Sequence, residues 1–117
     1  PDFYSPKVIR STMGAFFRQP VFLAQDAVSC IRLLKRAGQR VYASVLDDRA
    51  RGLMQTDFPM GCTVVIGNEG SGIPQTIVEE CTDRVYIEME GKAESLNAAV
   101  AASIFMWEMQ RQRAITE

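Results

Sequence analysis

Val64-Val65-Ile66-Gly67-Asn68-Glu69-Gly70-Ser71-Gly72-Ile73-Pro74 joins an apolar run to a loop with three glycines and a single carboxylate. Thr63 to Ile66 predicts a strand covered on both faces, because nearly every side chain in it is apolar. Glycines let the following chain bend sharply and approach a ligand closely. In open α/β sheets ligands settle beyond the carboxyl ends of strands, where this loop would lie. A tight strand-to-helix turn with no ligand accounts for the same residues. The common phosphate patterns do not fit: there is no GxxxxGKS or GxxxxGKT, and Gly70-Ser71-Gly72 lacks the third glycine of GxGxxG. Glu69 would also repel a phosphate.

About twenty residues on, Glu94-Ser95-Leu96-Asn97-Ala98-Ala99-Val100-Ala101-Ala102 forms a polar turn opening a helix of small residues. Ser95 and Asn97 can each accept from the exposed N–H groups of a helix start, so capping alone explains either one. The alanines permit close approach of another backbone, either a partner helix or a threaded segment. A plain buried alanine-rich helix is the alternative.

The rest of the chain alternates between strands and helices. Pro6 to Ala15 predicts a helix capped by Ser5, and Val21 to Ala24 a short buried strand. Gln25 to Ala37 predicts an amphipathic helix with Val28, Ile31, Leu33 and Leu34 inward and Gly38 as its stop. Val41 to Leu46 predicts a second strand, and Asp47 to Pro59 a loop with room for one helical turn. Pro74 to Glu80 predicts a short helix and Arg84 to Met89 a fourth strand. Ser95 to Arg113 predicts the longest helix. One side of it carries Ala99, Ala102, Ser103, Met106 and Gln110; another carries Leu96, Val100, Ile104 and Trp107. This alternation indicates an α/β domain with a mainly parallel sheet.

Composition narrows the possibilities. A chain of 117 residues fits one domain, with 47% hydrophobic and 23% charged residues. No apolar run approaches the ~20 residues of a membrane span. Without histidine a Ser-His-Asp triad is impossible and a zinc site is disfavoured, so no metal is expected. Cys30, Cys62 and Cys81 are scattered with no CxxC pair, as for free thiols of an intracellular protein. The net charge of −1 is divided along the chain: +5 through Arg51 and −6 from Gly52 onward. Arg10, Arg18, Arg32, Lys35, Arg36 and Arg40 form a candidate phosphate-contacting surface, although Arg32, Lys35 and Arg36 are better read as the solvated face of a helix.

Together the two segments resemble motifs 2 and 3 of the SpoU (TrmH-like) RNA 2'-O-ribose methyltransferases of the SPOUT superfamily. Lys7 to Val21 also resembles the stretch that follows motif 1 in those enzymes. The resemblance implies a deep C-terminal trefoil knot, bent S-adenosylmethionine bound within it, a homodimer formed partly by the last helix, and a cytoplasmic enzyme acting on tRNA or rRNA. Gly67 would then contact the cofactor through its backbone. Ile87 and Leu96 would hold the adenine, with Met89 and Ser95 beside them and Leu46 as a further contact. Glu69, Ser95 and Asn97 match polar positions tied to catalysis, and Arg10 and Arg18 would meet RNA phosphates. Ala99 departs from the second serine of many members. Motif 1, with its activating arginine, would lie upstream of Pro1, making residues 1–117 a partial methyltransferase domain without its first strands. A non-catalytic knot module that binds cofactor, RNA or a partner is the rival reading, and an ordinary nucleotide-binding α/β fragment a third.

Overall fold

The structure is a computed structural model that describes residues 20–68, 70–89 and 97–116, with the side chains of 115 and 116 excepted. The predicted helix Pro6 to Ala15 lies outside the described residues.

The first described helix, α1 (Ala27–Arg36), is opened by Asp26, whose carboxylate accepts from Val28 N–H at 3.1 Å and from Ser29 Oγ at 2.6 Å. It stops at Ala37, and Gly38 follows with φ of +89°, a conformation that glycine adopts without a Cβ penalty. Strand β1 (Arg40–Ser44) comes next, then a two-residue strand β2 (Arg51–Gly52) running into a 3₁₀ turn at Leu53–Gln55. Strand β3 (Cys62–Val65), helix α2 (Gln75–Glu80), strand β4 (Asp83–Tyr86) and helix α3 (Ala98–Thr116) complete the order.

The four strands form one sheet in the order β2-β4-β1-β3, parallel throughout. Arg40 to Ala43 pair with Cys62 to Val65, and Tyr42 to Ser44 pair with Asp83 to Val85. Tyr42, Leu53, Val85 and Phe105 make the core cluster, with Phe58, Val64, Ile66, Ile87 and Ile104 packed against it. Phe105 is 1% exposed and brings α3 onto this face of the sheet. Val41 and Ala43 alternate with Tyr42 and therefore point to the other face, where Ile31 of α1 and Val78 of α2 are buried. Arg32 joins the two helices through Glu80 at 2.8 Å, and Lys35 donates to the Glu80 carbonyl at 2.8 Å.

Three expectations are corrected. Val21 to Ala24 forms no strand among the described residues, and Phe22 is 88% exposed. Leu33 faces outward: it stands two residues from buried Ile31, about 200° around a helix. The segment predicted as loop contributes β2, which pairs with the far side of β4. Helix α3 buries a third side, flanked by Ile104. Its inward residues are Ala101, Phe105 and Glu108, while Val100, Met106 and Trp107 are exposed.

Candidate cofactor-binding edge

In a parallel sheet every carboxyl end lies on the same edge, so residues distant in sequence meet there. Leu46 and Ile87 each stand two positions beyond the paired residues Ser44 and Val85. Gly67 stands two positions beyond Val65, which pairs with Ala43. Three of the predicted cofactor positions are thus brought to the ends of three neighbouring strands. Met89 follows two residues after Ile87. Glu69, Ser95, Leu96, Arg10 and Arg18 lie outside the described residues.

Each position is held by its own local structure. Leu46 is 81% exposed and precedes a turn built by Asp47, which accepts from Arg49 N–H at 2.9 Å and pairs with Arg84 at 2.6 Å. That ion pair ties the loop after β1 to β4. Gly67 opens a loop that folds back on itself: Gly72 N–H donates to the Asn68 carbonyl at 2.8 Å, and Asn68 Oδ1 accepts from Gly70 N–H at 2.9 Å. A Cβ on Gly67 would stand 2.6 Å from the Gly72 carbonyl carbon and 2.7 Å from Ile73 N. Close approach of the loop to itself therefore already requires glycine at this position.

Beyond Tyr86 the ladder stops on both sides of β4. No backbone–backbone hydrogen bond engages Ile87, Glu88 or Met89 among the described residues. The Ile87 side chain packs on the core. Met89 is 41% exposed. Asn97 caps α3, with Oδ1 accepting from Ala99 N–H at 2.8 Å and Val100 N–H at 3.4 Å. This is the structural role foreseen for it, and it fixes where the helix begins.

Among the described residues, the candidate basic surface is largely spent on internal pairing. Arg32 and Lys35 bind Glu80, and Arg40 pairs with Asp83 at 2.6 Å. A cavity of about 580 Å³ opens beside Arg40, Arg49, Arg51 and Arg84, but Asp57, Glu79 and Asp83 line it too. None of Leu46, Gly67, Ile87, Met89 or Asn97 reaches it. Burial pushes the Cys62 and Cys81 thiols up, away from thiolate chemistry, and all three cysteines are free.

Sequence reasoning missed Glu88 and Gln112, which shape this half of the domain. Glu88 receives Met54 N–H, and Gln112 grips the loop at Thr56 and Phe58. A carboxylate between two apolar residues at a strand end was the available signal for Glu88. Gln112 carried none.

The architecture defines a parallel α/β protein with a partly apolar edge where, among the described residues, the main chain of 87–89 lies beyond the ladder. The chain belongs to the SpoU rRNA Methylase family, whose model matches residues 1–107. It is 32% identical over 93% of its length to the 23S rRNA (guanosine(2553)-2'-O)-methyltransferase RlmP of Bacillus subtilis, and spans 43% of that protein. It is 33% identical to the 23S rRNA (guanosine-2'-O-)-methyltransferase RlmB of Xanthomonas campestris, covering 91% of this chain and 42% of that one. Among solved structures, a putative TrmH-family RNA methyltransferase from Porphyromonas gingivalis superposes with a TM-score of 0.85 at 34% identity, over 95% of this chain and 45% of that one. An AdoMet-bound rRNA methyltransferase from Sinorhizobium meliloti matches with a TM-score of 0.85 at 30% identity, over 95% and 42%. The chain thus spans less than half the length of each of these four relatives.

Proposed function

We propose that the protein containing this chain is an S-adenosylmethionine-dependent RNA methyltransferase that modifies a ribose 2'-hydroxyl in rRNA or tRNA. The observation that carries this reading is the gathering of Leu46, Gly67 and Ile87 on one sheet edge, in a chain of this family. The residues fit an adenine-bearing ligand: main chain at 87–89 that makes no backbone–backbone hydrogen bond among the described residues offers donors and acceptors, and exposed Leu46 offers an apolar wall. When bound, the cofactor supplies an electrophilic sulfonium methyl.

The family resemblance supports the following roles for individual residues. Gly67 brings backbone next to the ligand, Ile87 and Met89 read adenine through main-chain groups, and Leu96 and Ser95 complete the wall. Glu69 and Asn97 shape the site where the 2'-oxygen is oriented. Orientation of two held reactants supplies much of such a rate, and loss of the hydroxyl proton needs a base or a stabilising cation. An arginine outside these 117 residues takes that part, and Arg10 and Arg18 meet RNA phosphates. The same reading gives a cytoplasmic enzyme whose last helix threads a loop as a trefoil knot. Its homodimer uses the exposed Val100, Met106 and Trp107.

Calorimetric titration of S-adenosylmethionine into the full-length protein, with ATP as control, tests the cofactor. Saturable binding of the methyl donor alone is expected; equal uptake of ATP, or no uptake of either, would overturn the reading. Asn97→Ala and Asn97→Ser then separate chemistry from capping, since serine also caps a helix. Transfer to RNA should fall at least about tenfold in both if Asn97 organises the site, a loss beyond the ~1 kcal/mol of a cap. Full turnover in Asn97→Ser would leave Asn97 only its capping role.

A further inference from the structure

Glu88 separates the two residues whose main chain is offered to the cofactor, and its side chain goes elsewhere. Both carboxylate oxygens stand 3.2 Å from Met54 N–H, in the 3₁₀ turn after β2. The first turn of such a helix has backbone N–H groups with no internal partner, and the carboxylate satisfies one of them. The Glu88 side chain crosses Gly52 to get there: a Cβ on Gly52 would stand 2.6 Å from Glu88 Cδ. The last β2–β4 pair is Gly52 with Tyr86, so the side chain takes over where the ladder ends.

We propose that Glu88 is a positioning residue for cofactor binding: its carboxylate, anchored on Met54 N–H across Gly52, holds the main chain of Ile87 to Met89 in the conformation that receives the methyl donor's adenine. The assignment rests on the proposed function above. The physical need is specific. Residues 87–89 have no ladder of their own among the described residues, yet adenine recognition through main-chain groups demands a fixed backbone. Ile87 is held by the core, and Met89 is exposed, so Glu88 supplies the second anchor of the segment. Gly52 belongs to the same device, because any side chain there would occupy the path of the carboxylate.

The test titrates S-adenosylmethionine into the full-length wild-type protein and into Glu88→Ala, Glu88→Met and Glu88→Gln. Methionine keeps the reach and bulk of the side chain without a strong acceptor; glutamine keeps an acceptor oxygen. Alanine and methionine variants are expected to bind the donor about tenfold more weakly, and the glutamine variant within about threefold of wild type. Turnover at saturating donor should stay within about twofold, so that the loss reads out in KM and not in kcat. Thermal unfolding without the donor identifies a variant that has failed to fold, and Glu88→Met guards against that result for alanine. Wild-type affinity in folded Glu88→Ala or Glu88→Met overturns the proposal, as does an equal loss in Glu88→Gln. Wild-type protein that takes up no donor overturns the proposed function, and this assignment with it.

Discussion

Gln112 Oε1 accepts the Phe58 N–H at 2.8 Å, across 54 positions of sequence. The same carboxamide donates through Nε2 to the Thr56 carbonyl at 2.8 Å and to the Glu108 carboxylate at 2.9 Å. One side chain near the end of α3 therefore binds the loop after the 3₁₀ turn through both of its polar atoms. Gln112→Ala leaves a half-buried N–H and carbonyl without that partner, and should lower stability by about 1–3 kcal/mol. Urea unfolding of the two proteins measures the difference, and an unchanged midpoint would remove the clasp from the account.

Glu108 gives acid pH a defined effect. It is buried on α3, and hydrogen bonds from Arg111 and then Gln112 hold its carboxyl down at about 2, against an ordinary 4.5. A folded-state value below the unfolded one stabilises the native state above pH 4.5. That contribution is lost as pH falls from about 4.5 through about 2. Glu108→Gln should flatten this segment of the stability curve, as followed by circular dichroism in acid titrations. An identical acid limb in variant and wild type would show that other carboxylates dominate.

Two glycines of the loop after β3 should respond differently to alanine. Gly67→Ala drives a Cβ into the Gly72 and Ile73 backbone, so the loop must shift and donor binding should fall about tenfold or more. Gly72→Ala meets nothing within 4 Å and incurs only the strain of its φ of +70°, about 1–2 kcal/mol of stability. Paired calorimetry and thermal melts separate them, and equal donor affinity in Gly67→Ala and wild type would place the cofactor away from this loop.

Trp107 is 66% exposed on α3, and Val100 and Met106 of the same helix are exposed too. In the proposed homodimer these side chains are covered. Trp107→Lys would put a charge in that interface and should shift the full-length protein toward monomer at micromolar concentration, with little effect on the fold. Light scattering after size-exclusion chromatography reads the mass directly. A dimer of undiminished stability would move the interface elsewhere.

The types of most elements were legible because local chemistry decides them. Thr63 to Ile66 is an apolar run ahead of a glycine loop, and a strand forms at Cys62–Val65. Gly38 follows a helical pattern, and α1 stops at Ala37. Pro74 precedes α2 as expected. Local chemistry was insufficient for β2: Arg51 and Gly52 carry no strand signal, and they pair only because β4 offers a free edge at that register.

The amino-acid sequence by itself determined the alternation of helices and strands, the glycine turn at Gly67 and the polar start of the last helix at Asn97, each through contacts within a few residues. Only the tertiary structure decided which face of α3 is inside. Ala98 to Trp107 is apolar on nearly every side, so periodicity cannot choose between Phe105 and Trp107; the space against Tyr42, Leu53 and Val85 admits Phe105 and leaves Trp107 outward. Tertiary structure likewise set Glu88 against Met54 and Gln112 against Phe58, because hydrogen bonds between distant segments depend on register and packing that no local pattern encodes.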